Sequence, residues 1–231
     1  MVEKLQFTIP LIYSSQENHK FPVCRLIKLN LWRFKELSMT IDDLYIVNYC
    51  HPSCTPLLNI MRLPKDEAFA LAYKMAGQNK DATAFYRFAD FDNYYPRRLQ
   101  TDKLLHAQFV ELGGKPLQEP PLSFVLQGST YLNDWFDNGI VTRIPLNHIS
   151  SNHISFTYGD SMASLKKYSG FTMFTKDMLL KVMSNYDGTL EEFMTNIEKQ
   201  YHYIEVQVWD DECVRTHRDM NNLILVTPTK A

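Results

Sequence analysis

The chain has 231 residues, which is enough for one large domain or two small ones with an ample apolar core. Its formal net charge of −2 argues against the strongly basic surface of a protein that binds duplex nucleic acid mainly through charge. The sequence has no signal-peptide core and no apolar run long enough to cross a bilayer, so we expect a cytoplasmic protein with reduced cysteines and no membrane contact.

The first eighty residues combine strand patterns with one clear helix. Apolar alternation predicts strands at 5–12, 22–31 and 44–50, and a short helix can start at Pro52 and run through Met61. Pro64 and the acids that follow it predict a helix over 64–75, which Gly77 ends. The polar stretch 79–81 is the best internal boundary. We therefore interpret 1–80 as an N-terminal lobe, or as part of one domain with the core at 81–231.

The segment Cys50-His51-Pro52-Ser53-Cys54 has a spacing that metal ligands use. A structural zinc site needs four ligands, and no second pair follows in the sequence. We therefore predict a turn after a strand at this point, and we expect no metal.

The second part of the chain mixes strands and helices without strict alternation. A helix capped by Asp92 or Asn93, with Pro96 in its first turn, is predicted over 94–112. Further helices are predicted at 131–136, 175–186 and 189–200, and strands at 83–88, 122–126, 140–146, 154–158, 201–209 and 222–227. This order favours an α+β fold with mixed or antiparallel sheets and flanking helices.

The strand at 201–209 has two contrasting faces. Its aliphatic face suits a core, whereas the other face carries Tyr203, Glu205, Gln207 and Trp209. A carboxylate between aromatic residues suggests the wall of a cleft. The alternative is an exposed strand with an amphipathic edge.

Two basic features could meet an anion. Arg87 lies in an apolar and aromatic strand pattern, where a guanidinium needs a carboxylate or phosphate partner. A buried salt bridge is the alternative. The pair Arg97-Arg98 at a helix start could contact an anionic target or could simply be solvated.

The order of elements over 83–209 resembles the ADP-ribosyltransferase superfamily. Tyr86-Arg87 matches the first strand of that family, Ser123 lies on the second, and Glu205 lies on the late strand. The resemblance implies a split-sheet core and NAD as substrate. It also implies Glu205 as the catalytic carboxylate, which would stabilise positive charge on the ribose carbon. Tyr86, Arg87, Ser123 and Tyr203 would bind the dinucleotide, and no metal would be needed.

The resemblance has departures that leave the acceptor open. Many protein-modifying members carry Gln or Glu two positions before the catalytic Glu, and this chain has Tyr203 there. The second strand lacks the Ser-Thr-Ser run of the family, and 1–80 is not covered. We therefore expect an NAD-dependent ADP-ribosyltransferase or NAD glycohydrolase, of the kind found among bacterial and phage toxins, with a protein or nucleic-acid acceptor.

Two other classes of function stay open. One is a non-enzymatic ligand-binding or interaction protein that uses its tyrosine-rich faces. The other is a metal-dependent nuclease or hydrolase that uses Glu205, Asp210 and Asp211. A cleft that joins Arg87 to Glu205 would favour the transferase, a flat aromatic patch the interaction protein, and converging carboxylates the hydrolase. The sequence leaves the oligomeric state undetermined.

Overall fold

A computed structural model of the chain describes residues 39–215. These residues belong to one compact unit. The strands predicted at 5–12, 22–31 and 222–227 lie outside the described residues.

One antiparallel sheet forms the centre of the described part. Its strands are β1 (Tyr45–Cys50), β2 (Leu122–Leu126), β3 (Ile140–Pro145), β4 (Ile154–Tyr158), β5 (Met173–Thr175) and β6 (Ile204–Val208). They lie in the order β3-β1-β2-β6-β4-β5, and each neighbouring pair is antiparallel. The α+β class with an antiparallel sheet is therefore confirmed. The strand β1 from the first eighty residues lies inside this sheet, between β2 and β3.

Helices flank the sheet. They are α1 (Lys65–Gln78), α2 (Tyr86–Ala89), α3 (Phe91–Glu111), α4 (Thr130–Trp135), α5 (Ser161–Tyr168), α6 (Lys176–Ser184) and α7 (Leu190–Tyr201). Of these, α1, α6 and α7 begin at the predicted signals. The side chain of Thr175 caps α6, and Thr189 and Glu192 form a capping box at the start of α7. Of the helices within 39–215, none combines the length and the apolar composition that a bilayer crossing needs.

Both faces of the central strand β6 are covered. On one face, Ile204, Val206 and Val208 join a core that includes residues of α6 and α7. On the other face, Phe109 of α3 stacks on the buried Trp209, with ring centroids 5.7 Å apart. Such a stack adds about 0.5–1.5 kcal/mol to the burial of the two rings. The polar residues of β6 are therefore enclosed beneath α3.

The strand predicted at 83–88 is wrong. Thr83–Phe85 forms a 3-10 turn and α2 follows it directly. Phe85, Phe88 and Phe91 recur every third residue, and consecutive ring centroids in this series lie 5.7 and 5.5 Å apart. Rings spaced by three residues share one face of a helix, so the helical conformation buries them together where a strand would split them between two faces.

Several boundaries also differ from the predictions. The helix α3 begins at Phe91, which places Pro96 inside the helix and not in its first turn. The chain over 52–61 forms turns with only a short 3-10 helix at Ile60–Arg62. The strand predicted from 201 begins only at Ile204, because α7 continues to Tyr201 and His202 turns the chain with a φ of 70°. The elements α5 and β5 are not among the predicted helices and strands.

Candidate functional site

Glu205 lies at the centre of the covered face of β6 and is only 7% exposed. Its Oε2 accepts hydrogen bonds from the backbone N–H of Ser161 at 2.7 Å and from Thr157 Oγ1 at 3.4 Å. Burial raises the pKa of Glu205, and the guanidinium of Arg98, 3.8 Å from Oε1, opposes this rise only in part. The carboxylate is therefore held in place by the fold and has little contact with solvent.

A directional chain of hydrogen bonds leads to this carboxylate. Trp209 Nε1 donates to Ser155 Oγ at 2.9 Å, and Ser155 Oγ donates to Gln207 Oε1 at 2.9 Å. Gln207 Nε2 donates to Thr157 Oγ1 at 3.2 Å, and that hydroxyl donates to Glu205. Gln207 and Trp209 are fully buried in this network, so neither the predicted cleft wall nor the exposed strand edge describes this face.

Arg98 and Asp102 form a buried ion pair on α3. Arg98 Nη2 lies 2.8 Å from Asp102 Oδ1, and Arg98 Nε donates to Asp102 Oδ2 at 3.2 Å. Arg98 Nη2 also donates to the hydroxyl of Ser123 at 3.4 Å. Ser123 thus lies on β2 as predicted, but its described partner is a buried arginine. The expectation that both Arg97 and Arg98 are exposed is wrong for Arg98.

A sequence signal for the buried pair exists. The apolar stripe of α3 contains Leu105 and Phe109, and the same stripe extended towards the N-terminus passes through Asp102 and Arg98. An oppositely charged pair four residues apart on the core face of a helix predicts an internal ion pair. Neither of the two interpretations of Arg97-Arg98, a contact for an anionic target or a solvated helix start, uses this signal.

Arg87 lies on α2 and does not contact Glu205. Its Nη2 donates to Asp160 Oδ2 at 3.1 Å and its Nε donates to the Tyr86 hydroxyl at 2.9 Å. Its guanidinium carbon lies 5.5, 5.8 and 6.0 Å from the ring centroids of Tyr86, Tyr94 and Trp135. These contacts are within the range of cation–π attraction, so three rings and one carboxylate orient the guanidinium.

A groove of about 880 Å³ lies between α2, α3 and α5. This volume is within the range of roughly 300–1,000 Å³ that small-molecule sites occupy. The charged side chains that line the groove are Arg87, Arg97, Lys166 and Asp90. Three cations and one carboxylate give the groove a positive balance that favours an anionic ligand.

Glu205 does not line the groove, but the short segment Asp160-Ser161 connects this carboxylate to Arg87 in the groove wall. Asp160 contacts Arg87, and the next residue, Ser161, donates its backbone N–H to Glu205. Burial raises the pKa of Tyr203, and the charges of Asp160 and Glu205 raise it further. The structure therefore brings Tyr86 and Arg87 together in the groove. Glu205 and Tyr203 do not line it, and Tyr203 lines a separate hollow with His202.

The described residues contain no cluster of three metal-ligand side chains. Asp211 forms an ion pair with Arg62 at 2.6 Å. His51 contacts Asp137 at 3.0 Å, and Cys50 and Cys54 are free thiols. The converging carboxylates that would have favoured a metal-dependent hydrolase are not found within 39–215.

Comparisons of the chain with protein-family models, with curated proteins and with solved structures find no match. The resemblance to ADP-ribosyltransferases therefore stays a prediction from residue order.

Proposed function

We propose that the protein binds a nicotinamide dinucleotide, or a nucleotide of the same chemistry, in the groove between α2, α3 and α5. The observation that carries this proposal is Arg87, a guanidinium oriented by three aromatic rings in the wall of a ligand-sized groove. Phosphate oxygens accept strong charge-assisted hydrogen bonds from guanidinium groups, and a base or a nicotinamide ring can stack on an exposed phenol. Tyr86 is 54% exposed beside Arg87 and offers such a phenol.

The charge balance supports a phosphate-bearing ligand over a neutral one. Asp160 neutralises part of the charge of Arg87, but both side chains remain partly exposed at 31% and 24%. Arg97 and Lys166 are exposed in the same groove. A ligand with two linked phosphates would therefore meet cations on both α3 and α5.

A thermal-shift screen tests this proposal. The ligands are NAD, ADP-ribose, AMP and divalent metal salts, each added to the full chain. A ligand that binds only the folded state stabilises it by about 2.7 kcal/mol at about 100 times its Kd, so NAD or ADP-ribose raises the melting temperature. If no nucleotide shifts the melting temperature, the proposal fails. A shift with metal salts alone would favour the hydrolase alternative.

The second candidate function is turnover of the bound dinucleotide by transfer or hydrolysis. It is favoured by the short path from Arg87 through Asp160 and Ser161 to Glu205. Cleavage of the nicotinamide–ribose bond builds positive charge on the ribose carbon, and a nearby carboxylate stabilises that charge. Such a protein would consume NAD in a cell, as a toxin or effector does. The free thiols of Cys50, Cys54 and Cys213 suit the reducing cytoplasm in which we expect it to act.

Release of nicotinamide by the wild-type chain and by Glu205→Gln tests this second function. We expect the wild type to release nicotinamide and Glu205→Gln to lose the activity, because the neutral amide cannot stabilise the developing charge. Asp102→Asn is the matched control, since it also neutralises a buried acid that pairs with Arg98. Equal rates in wild type and Glu205→Gln would rule out the role of Glu205. Binding without any release would leave a ligand-binding protein.

A further inference from the structure

Four aromatic side chains form a continuous row across the surface, which we name the aromatic row. It runs through His202, Tyr131, Trp135 and Tyr86. Successive ring centroids lie 5.6, 5.7 and 5.4 Å apart. The row therefore links the turn before β6, the helix α4 and the helix α2.

The aromatic row connects two concavities. His202 lines a hollow of about 240 Å³ that also contains the loop between β2 and α4. At the other end, Tyr86 lines the groove of about 880 Å³. Tyr131 is 48% exposed and Tyr86 is 54% exposed, so a large part of each ring faces solvent. The planes of successive rings are inclined by 24°, 42° and 77°, so the rings form a continuous but not coplanar aromatic surface between the two hollows. Exposed patches of this kind are typical of interaction sites.

Ordered elements fix the positions of these rings. Ser129 caps α4 by accepting from the backbone N–H of Leu132 at 3.3 Å, and its own N–H donates to the Tyr49 hydroxyl at 2.8 Å. Tyr131 and Trp135 lie four residues apart on this helix and face the same side. Part of the platform is thus formed before any ligand arrives, which lowers the entropic cost of binding.

Basic side chains adjoin one end of the aromatic row. Arg87 lies over Tyr86 and Trp135, and Arg97 and Lys166 follow in the groove. Stacking rings beside cations are the combination that proteins use for single strands, because every base has a π-face and every nucleotide adds a phosphate.

We infer that the aromatic row, continued by Arg87, Arg97 and Lys166, binds single-stranded nucleic acid. The planes of neighbouring rings are inclined by 42° and 77°, so bases that lie on different rings are unstacked from each other. A single strand allows this at low cost, whereas a duplex does not. The row shares only Tyr86 with the lining of the groove, and Tyr131 lies outside that lining.

Fluorescence anisotropy with labelled oligonucleotides of about 12 nucleotides tests this inference on the full chain. Single-stranded DNA, single-stranded RNA and a DNA duplex are the three probes. We expect the wild type to bind a single strand more tightly than the duplex. Tyr131→Ala should weaken that binding by roughly 5- to 150-fold, the usual loss when a stacking ring is removed. Tyr131→Phe keeps the ring and should retain the affinity.

The matched control is Tyr73→Ala, which removes a tyrosine of α1 that is 44% exposed and lies outside the row. It should leave the affinity within about twofold of wild type. Equal binding of the duplex, no binding of any strand, or an unchanged affinity in Tyr131→Ala would each overturn the inference. The melting temperature of Tyr131→Ala with and without NAD tests the two proposals separately. Because Tyr131 does not line the groove, NAD should raise the melting temperature of this variant as it does for the wild type, whether or not the single strand binds.

Discussion

Arg98 lies close to two buried carboxylates, those of Asp102 and Glu205. Asp102 is fully buried and Glu205 is 7% exposed, and burial raises the pKa of both acids while Arg98 lowers it. Burial is the largest effect on each acid and outweighs Arg98 and, at Asp102, also Arg62, so protonation of the cluster is favoured more in the folded chain than in the unfolded one. These two buried acids lie close to Asp160-Ser161, the segment that contacts Arg87.

The raised pKa of Glu205 predicts a pH-dependent stability. An acid with a folded-state pKa above its ordinary 4.5 contributes stability that is complete below 4.5 and is lost as the pH rises through the folded value. Glu205→Gln has no titrating group at this position, and its amide oxygen can still accept from the Ser161 N–H. We therefore expect the free energy of unfolding of Glu205→Gln, relative to wild type, to increase as the pH rises above 4.5.

Urea unfolding at several pH values between about 4 and 8 measures this difference. The control is Glu111→Gln, which neutralises an exposed acid of α3 and should change stability by less than about 0.5 kcal/mol. A difference between Glu205→Gln and wild type that does not change with pH would show that the carboxylate is not destabilised by its burial.

At the scale of the element, local signals predicted those helices and strands that depend on nearby residues. The strands at 122–126 and 154–158 and the helix starts at Thr175 and Thr189 follow from alternation and from capping side chains. The helix α2 was missed because its aromatic residues also fit a strand pattern. Only their packing against α1 and α3 decides between the two.

The candidate site was predicted only in part, because it also depends on packing between elements that are distant in the sequence. Tyr86 and Arg87 line the groove, although from a helix and not from a strand. The burial of Glu205 depends on α3, which covers the face of β6 that alternation alone leaves undetermined. Asp160 caps α5 and Lys166 lies within it, and α5 is an element without a strong periodic pattern, so the sequence did not reveal these members of the site.

At the scale of the whole molecule, the two faces of the sheet have different roles. The face under α6 and α7 is apolar and supplies most of the core. The face under α3 contains the hydrogen-bonded chain from Trp209 to Glu205, and it ends at the segment Asp160-Ser161. Because Asp160 orients Arg87, the buried polar network and the groove share one rigid connection. We therefore propose that ligand binding occurs on this side of the sheet.

The most direct test of this account is a calorimetric titration of NAD into the wild type, Arg87→Ala and Arg143→Ala. Arg143 is the matched control, because its guanidinium also lies over a tyrosine ring, 5.3 Å from the centroid of Tyr45, and it is outside the groove. Loss of hydrogen bonds between a guanidinium and phosphate weakens binding by about 10- to 150-fold, so we predict this loss for Arg87→Ala and wild-type affinity for Arg143→Ala. Equal affinity in wild type and Arg87→Ala, or no binding of NAD to the wild type, would contradict the account.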